Sequence, residues 1–486
     1  MEEVRIQHPT DRRGLGFTEK VYRCELEPLG GSAFVLKDLQ ACDSAVDSSM
    51  PILHKGYFDS HAHPSVCCER RKQVNLSKCR SAEEVLHQVE ESSESMGGVL
   101  RGHSWDESRS GLSLEEFVRK VARRLPNHIP IILTRVCSHS AIVNQSFKEL
   151  FGLPLMPDLV HEEDYFSLRR RLPGMSLKER CDEFKLLQKQ LIEEGLTAVG
   201  ELWVRSEEVE MYRRLCDEGS LLLDVAGCVS FEEAFEVLEK GPFALSNKLS
   251  LGPNDRHATF SARHAKFFLD GSLGSRTAAL TDAYSDAESF GKLSYEMPSL
   301  VEKFRKALDL GFYLSVHAIG DAATAQLGNA AQLLNSQLRG RLQGDGSTQL
   351  PQTYHRLEHA QLIGDQSLGA FDPGLWSVSI QPCHRVDDKG FILSRLGQER
   401  LSNMAYRQKS FLDAKIPLSF GSDAPISSWN VLRNIRAAME HHNPDERLSF
   451  SECLWAYTTG ARLSLGLSAG KMGPRSTVYL ATSSLS

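Results

Sequence analysis

Eight short apolar runs, many trailed by an amphipathic helical stretch, constrain this chain more than any other feature of its sequence. They are Gly56–Ser60, Leu196–Leu202, Leu221–Gly227, His264–Leu269, Phe312–His317, Tyr354–His359, Trp376–Gln381 and Pro417–Ser422. Helical spacing of apolar residues is plain between them, at Leu300–Leu310 and Ala322–Leu338. Strands that alternate with helices build βα units and a parallel sheet. Eight such units are the number that closes a barrel. The predicted fold is α/β, a (β/α)8 TIM-like barrel.

Two further runs, Gly98–Arg101 and Ile129–Val136, break this count. They sit with two helical stretches in the long gap between the first and second barrel strands. We read residues 68–194 as an insertion on the first βα loop, covering the catalytic mouth. The alternative makes these runs barrel strands and removes two later ones. Residues 1–50 are weakly patterned, with β segments at Lys20–Leu26 and Ser32–Leu36. They are expected to form a reduced small β-domain with residues 467–486, whose strand is Thr477–Ala481 and whose tail, 483–486, frays. Residues 51–466 are then the barrel with its insertion.

The charge balance narrows the partners. A formal charge of −7 gives none of the basic surplus of a nucleic-acid binder. The densest basic spot, Arg169–Arg171, follows Glu162, Glu163 and Asp164 and reads as a solvated helix face. Eleven cysteines without a Cys-x-x-Cys spacing read as reduced thiols, not a disulfide framework. The acidic start lacks a signal-peptide core, and no run approaches the roughly 18 apolar residues of a membrane helix. A cytoplasmic protein with no membrane partner is expected.

The chemistry gathers at strand ends, where barrels of this kind assemble their sites. The first strand closes in Asp-Ser-His61-Ala-His63-Pro. Residues two apart on a strand share a face, so His61 and His63 project together. Two neighbouring imidazoles are well explained as ligands of one divalent metal. Lys266 interrupts an apolar strand that ends in Asp270, while His317, His359 and Asp423 each close a later one. Each alone has an ordinary reading: a hydrogen-bonded histidine, a helix-capping aspartate, a solvent-facing lysine. Their succession at barrel mouths after a His-x-His is what favours a common site.

On these residues the chain resembles the metal-dependent amidohydrolase superfamily, and within it amidohydrolase family 3, which includes N-substituted formamide deformylase-like enzymes. The resemblance spans about residues 51–466. Beyond the His-x-His run it rests on Arg101-Gly-His-Ser-Trp-Asp-Glu, Ser-His139-Ser-Ala-Ile-Val-Asn144, and Lys266-Phe-Phe-Leu-Asp-Gly-Ser-Leu-Gly-Ser-Arg276. It continues through His317-Ala-Ile-Gly-Asp321, Arg356-Leu-Glu-His359-Ala-Gln and Gly-Ser-Asp423-Ala-Pro. The resemblance implies that His61, His63 and Asp423 bind one divalent metal, with zinc the expected ion, and that His317 and His359 bind a second. Lys266 would bridge the two as a carbamate formed with carbon dioxide; without it, one metal remains. The family's β-domain pattern is missing, since Gly470-Lys-Met-Gly-Pro-Arg-Ser-Thr-Val-Tyr479 lacks the usual Ala-Asp.

Supporting roles follow with their rivals. Arg276 either meets an anionic substrate group or the carbamate, or makes a loop salt bridge. Asp321 and Glu358 are read as acceptors that hold imidazoles, with helix capping the alternative for Asp321. Trp105 either lines the mouth or belongs to a core. His384, in Gln381-Pro-Cys-His, could touch substrate. The expected activity is hydrolysis of an amide-like C–N bond, N-formyl or N-acyl, in a small molecule, with Asp423 moving the proton. Rivals are a purine or pyrimidine deaminase, an ester or lactone hydrolase, and a metal-binding regulatory protein without turnover. A homodimer is compatible with the sequence.

Overall fold

The computed structural model describes all residues except 1, 10–16, 31–32, 48–49, 55, 93–94, 137–139, 234, 247–248, 252–253, 257, 344–352, 468–476 and 482–486. His139, the start of the Gly470 pattern and the tail 483–486 therefore lie outside the described residues. The chain divides into two compact units, one of Met1–Pro64 with Lys185–Ser486, the other of Ser65–Phe184.

In the larger unit eight parallel strands follow one another in sequence order. They are Tyr57–Ala62, Leu196–Val204, Asp224–Ser230, Thr259–Phe268, Tyr313–Ala318, His355–His359, Trp376–Ile380 and Leu418–Phe420. Each pairs with the next, which is how right-handed βα units lay strands down. The first and eighth strands meet through Ser60 Oγ donating to the Phe420 carbonyl at 2.9 Å and Asp423 N–H to His61 O at 2.6 Å. The sheet is thus a nearly closed barrel. At this seam a Cβ on Gly421 would sit 2.5 Å from the His61 backbone nitrogen, so only glycine allows the approach.

Most predicted strands lie within a residue or two of the observed ones. The third moves downstream, to Asp224–Ser230. Its leading leucines are held by the two preceding helices instead: Ser220 and Leu221 N–H donate to the Leu215 carbonyl, and Leu222 N–H to Gln188 Oε1. The helical pattern at Ala322–Leu338 is two helices, Asp321–Leu333 and Asn335–Gln343.

The same unit carries a small closed barrel, with strands in the order Glu2–Pro9, Phe17–Gly30, Ala33–Ala41, Thr477–Ala481 and Ile52–His54. Val4, Ile6, Cys24 and Leu53 fill it. This corrects the expectation of a reduced domain. Closure needs Thr477–Ala481 between two early strands, a pairing too distant in sequence for local patterning to reveal.

The second unit, Ser65–Phe184, is a mixed five-stranded sheet ordered Leu159–His161, Ser140–Val143, Ile131–Arg135, Leu100–Trp105, Val74–Asn75. Helices Ala82–Glu91 and Leu114–Ala122 pack with one cluster around Trp105 and Phe117. Phe147, Tyr165 and Leu168, from Gln145–Leu150 and Glu162–Arg171, join a second. The runs that broke the strand count belong to this sheet, not to the barrel. Arg169 and Arg171 are exposed on their helix. No disulfide joins the described cysteines, and no described helix is long and apolar enough to cross a membrane.

Candidate metal centre

Six of the strand-end side chains singled out by sequence, and His384 after the seventh strand, come together at one end of the barrel. One ligand atom each from His61, His359 and Asp423 lies within 4.8 Å of the others, and all three residues are buried. The His61 and His359 rings are 4.5 Å apart, His359 and His317 4.4 Å, and His61 and His63 5.7 Å. Asp423 Oδ1 lies 3.0 Å from His63 Nε2 and 3.5 Å from His61 Nε2. His384 stacks on His359 at 5.8 Å, with its Nε2 3.5 Å from Asp423 Oδ2.

Three of these imidazoles are anchored at one nitrogen by the protein. His61 Nδ1 meets Glu358 Oε2 at 2.7 Å, His359 Nδ1 meets Gln381 Oε1 at 2.8 Å, and His317 Nε2 meets the Gly271 carbonyl at 3.1 Å. An acceptor at one ring nitrogen fixes the proton there and leaves the other as a lone-pair donor, the arrangement metal-binding histidines use. Glu358 is itself held by Arg356, at 2.6 and 3.0 Å, and by Ser315 Oγ at 2.7 Å. Burial alone would raise the Glu358 carboxyl, but Arg356 and His61 outweigh it and keep it well below the carboxylate range.

Electrostatics suit a cation. Burial lowers His63, lowers His359 well below the usual value, and takes His317 to about 3, Lys266 adding to the effect. All three are neutral imidazoles at pH 7. Burial works against the Asp423 carboxylate, yet the His61 and His63 rings beside it hold its pKa well below 3.8. Lys266 is buried with no hydrogen-bond partner at Nζ among the described residues, and burial lowers its pKa. His61 Nε2 and His384 Nε2 are buried and unpartnered as well. Leaving such groups without partners costs about 1–3 kcal/mol each, which a divalent ion among neutral imidazoles and a carboxylate would offset. The donor set therefore fits a metal. His359 and Asp423 also adopt positive φ, 74° and 57°, as does Ala360 at 47°, a strain typical of functional positions.

Other expected residues lie elsewhere or do other work. Trp105 is corrected: it is fully buried in the core of the second unit, stacked on Phe117, its indole N–H donating to the Leu133 carbonyl at 2.7 Å. It presents no surface to a substrate. The Arg276 guanidinium is paired with Asp286 through two 3.0 Å bonds, the loop salt bridge of its alternative reading. Asp321 opens its helix and accepts from Thr281 N–H; it holds no imidazole. Asp270 stands in that place, 3.5 Å from His317 Nε2 and accepting from the Ala279, Ile319 and Gly320 N–H groups. Burial raises its pKa to about 7. Gln381 and Arg356 were also missed in role, although both stood in the quoted runs. Elsewhere the ordinary reading of a strand histidine holds: His264 bonds the Tyr354 carbonyl and His355 accepts from Leu314 N–H.

Residues 56–475 match the model described as the amidohydrolase family. The chain belongs to this family. Among curated proteins it is similar to the putative amidohydrolase YtcJ of Bacillus subtilis (strain 168), 25% identical over 438 residues, 84% of this chain and 77% of that one. It is equally similar to the protein LONG AFTER FAR-RED 3 of Arabidopsis thaliana, 25% identical over 462 residues, covering 84% and 73%. Among solved structures, an uncharacterized metal-dependent hydrolase from Pyrococcus furiosus superposes with a TM-score of 0.71 at 24% identity, covering 98% of both chains. One from Pyrococcus horikoshii OT3 gives 0.70 at 22% identity, covering 96% of this amidohydrolase-family chain and 93% of that one. These two structures share its fold.

Proposed function

We propose that this amidohydrolase-family protein is a metal-dependent hydrolase that cleaves an amide-like C–N bond, N-formyl or N-acyl, in a small molecule. The observation that carries the reading is the convergence of His61, His359 and Asp423 donor atoms within 4.8 Å, beside the unpartnered Lys266 Nζ. In it His61, His63 and Asp423 hold one divalent ion, with zinc the first choice, and His317 and His359 a second. The lowered pKa of Lys266 favours its free amine, the form that can add carbon dioxide and become a bridging carbamate. When bound, such ions make water acidic near neutral pH and polarise a carbonyl.

The chain's own residues supply the rest. Asp423 accepts a proton from the attacking water and delivers it to the departing nitrogen, so that an acid and an amine leave. Glu358 and Gln381 keep the His61 and His359 rings in one orientation. Burial excludes bulk water and strengthens each of these contacts. We further propose a cytoplasmic location, consistent with the lack of disulfides among the described cysteines, a homodimer, and no nucleic-acid or membrane partner, in keeping with the formal charge of −7.

The test is elemental analysis of protein purified without chelator, with mass spectrometry of the peptide carrying Lys266. About two metals per chain and a carbamate support the binuclear centre, and about one metal supports the simpler one. Folded protein that takes up no metal sinks the proposal. Turnover of aminopurines or esters but not amides would transfer it to the deaminase or esterase reading; metal without any turnover would favour a regulatory role.

A further inference from the structure

Trp203 and Phe268 stand at the ends of the second and fourth barrel strands, their rings 5.6 Å apart. Phe268 touches the centre on its other side: the His317 ring lies 5.3 Å away and Lys266 Nζ 5.0 Å from its face. Both aromatic residues remain partly open to solvent. The Trp203 indole N–H is nevertheless shut from water and has no hydrogen-bond partner among the described residues.

Strand alternation does not account for this placement. Leu202 packs in the barrel interior, and Glu201 turns the other way to meet the Tyr212 hydroxyl at 3.1 Å. Trp203 should then follow Glu201 outward. The pairing with the third strand shifts between Glu201 and Val204, and such irregularities re-aim side chains beside active sites. A large flat ring is thereby brought against Phe268 with its donor unsatisfied, a local conflict of the kind found at functional positions.

The position also has a direction. Asp423, which serves the leaving nitrogen, lies against His61, His63 and His384, whereas Phe268 lies against His317 and Lys266 and Trp203 flanks Phe268. A carbonyl carbon held between them points its nitrogen to Asp423 and its acyl substituent to the rings. We infer that Trp203 and Phe268 wall an acyl pocket, and that the substrates are amides whose acyl group ends in a flat apolar ring. This rests on the hydrolase reading above and specifies its substrate class. Aromatic stacking adds preference beyond the area buried.

The test compares 2-phenylacetamide, acetamide and N-benzylacetamide as substrates of the metal-containing protein. Phenylacetamide should be preferred. Trp203→Leu should lower the ratio of kcat/KM for phenylacetamide over acetamide about tenfold, and Trp203→Phe should keep it within about threefold. An unchanged ratio in Trp203→Leu, or a Trp203-dependent preference for N-benzylacetamide instead, overturns the acyl pocket. If no amide is hydrolysed, the hydrolase reading fails separately and calorimetric binding of phenylacetate decides. Binding that weakens about tenfold in Trp203→Leu keeps the pocket; no binding, or no weakening, removes it. Should Trp203→Leu not fold, Phe268→Leu is read on the same ratios.

Discussion

The core of the second unit and the ring of barrel strand ends treat buried polar groups in opposite ways. In the second unit Trp105 donates to Leu133, and Asn144 accepts from Ile131 and Phe147 while donating to the Pro126 and Ile129 carbonyls. At the strand ends Lys266, His61, His384 and Trp203 each keep a buried nitrogen without a hydrogen-bond partner. Completed hydrogen bonds serve stability. Open ones cost stability and are retained where something else must bind. The two tryptophans make the contrast concrete, since the ring that is satisfied sits in a core and the one that is not lies beside Phe268, which touches His317.

Three substitutions test this contrast. The largest effect is expected at Trp105→Ala, which empties a core site and orphans the Leu133 carbonyl. It should destabilise the protein by about 3–5 kcal/mol in denaturant titration, and a loss under about 1 kcal/mol would mean that the site is not a core. Lys266→Met should act in the opposite sense. Removing an unpartnered buried amine should raise the stability of chelator-treated protein by about 1–3 kcal/mol, while metal content falls. A loss of stability in that protein would show that Lys266 is structurally satisfied after all. The smallest effect belongs to Arg276→Ala. Its partly exposed pair with Asp286 is worth about 0–1 kcal/mol, and amide turnover should change by less than about threefold. A larger drop in kcat would restore Arg276 to the chemistry.

Where the reading from sequence went astray, the cause was usually a departure from local regularity. His61 and His63 were legible because two histidines separated by one residue at the end of an apolar run stand out, and Lys266 because a charge in an apolar run does. The placement of Trp203 was not legible, because an irregularity after Glu201 changes which way a side chain points, and nothing in the letters marks it. Nor was Asp270 legible as the carboxylate beside His317, since the two lie at the ends of different strands. The strand-four loop nevertheless folds back to place Asp270 under the Ile319 and Gly320 N–H groups. Residues 1–50 looked weak because their barrel is completed by Thr477–Ala481.

By itself the sequence determined the order of the eight parallel strands and the polar residues that close them, because hydrophobic runs and their spacing are local properties of the chain. Only the tertiary structure decided which nitrogen of each anchored imidazole is held, which carboxylate stands behind His317 and that Trp105 belongs to a core. Those outcomes depend on strands brought together across hundreds of residues, where register and hydrogen-bond competition, not composition, choose the partner.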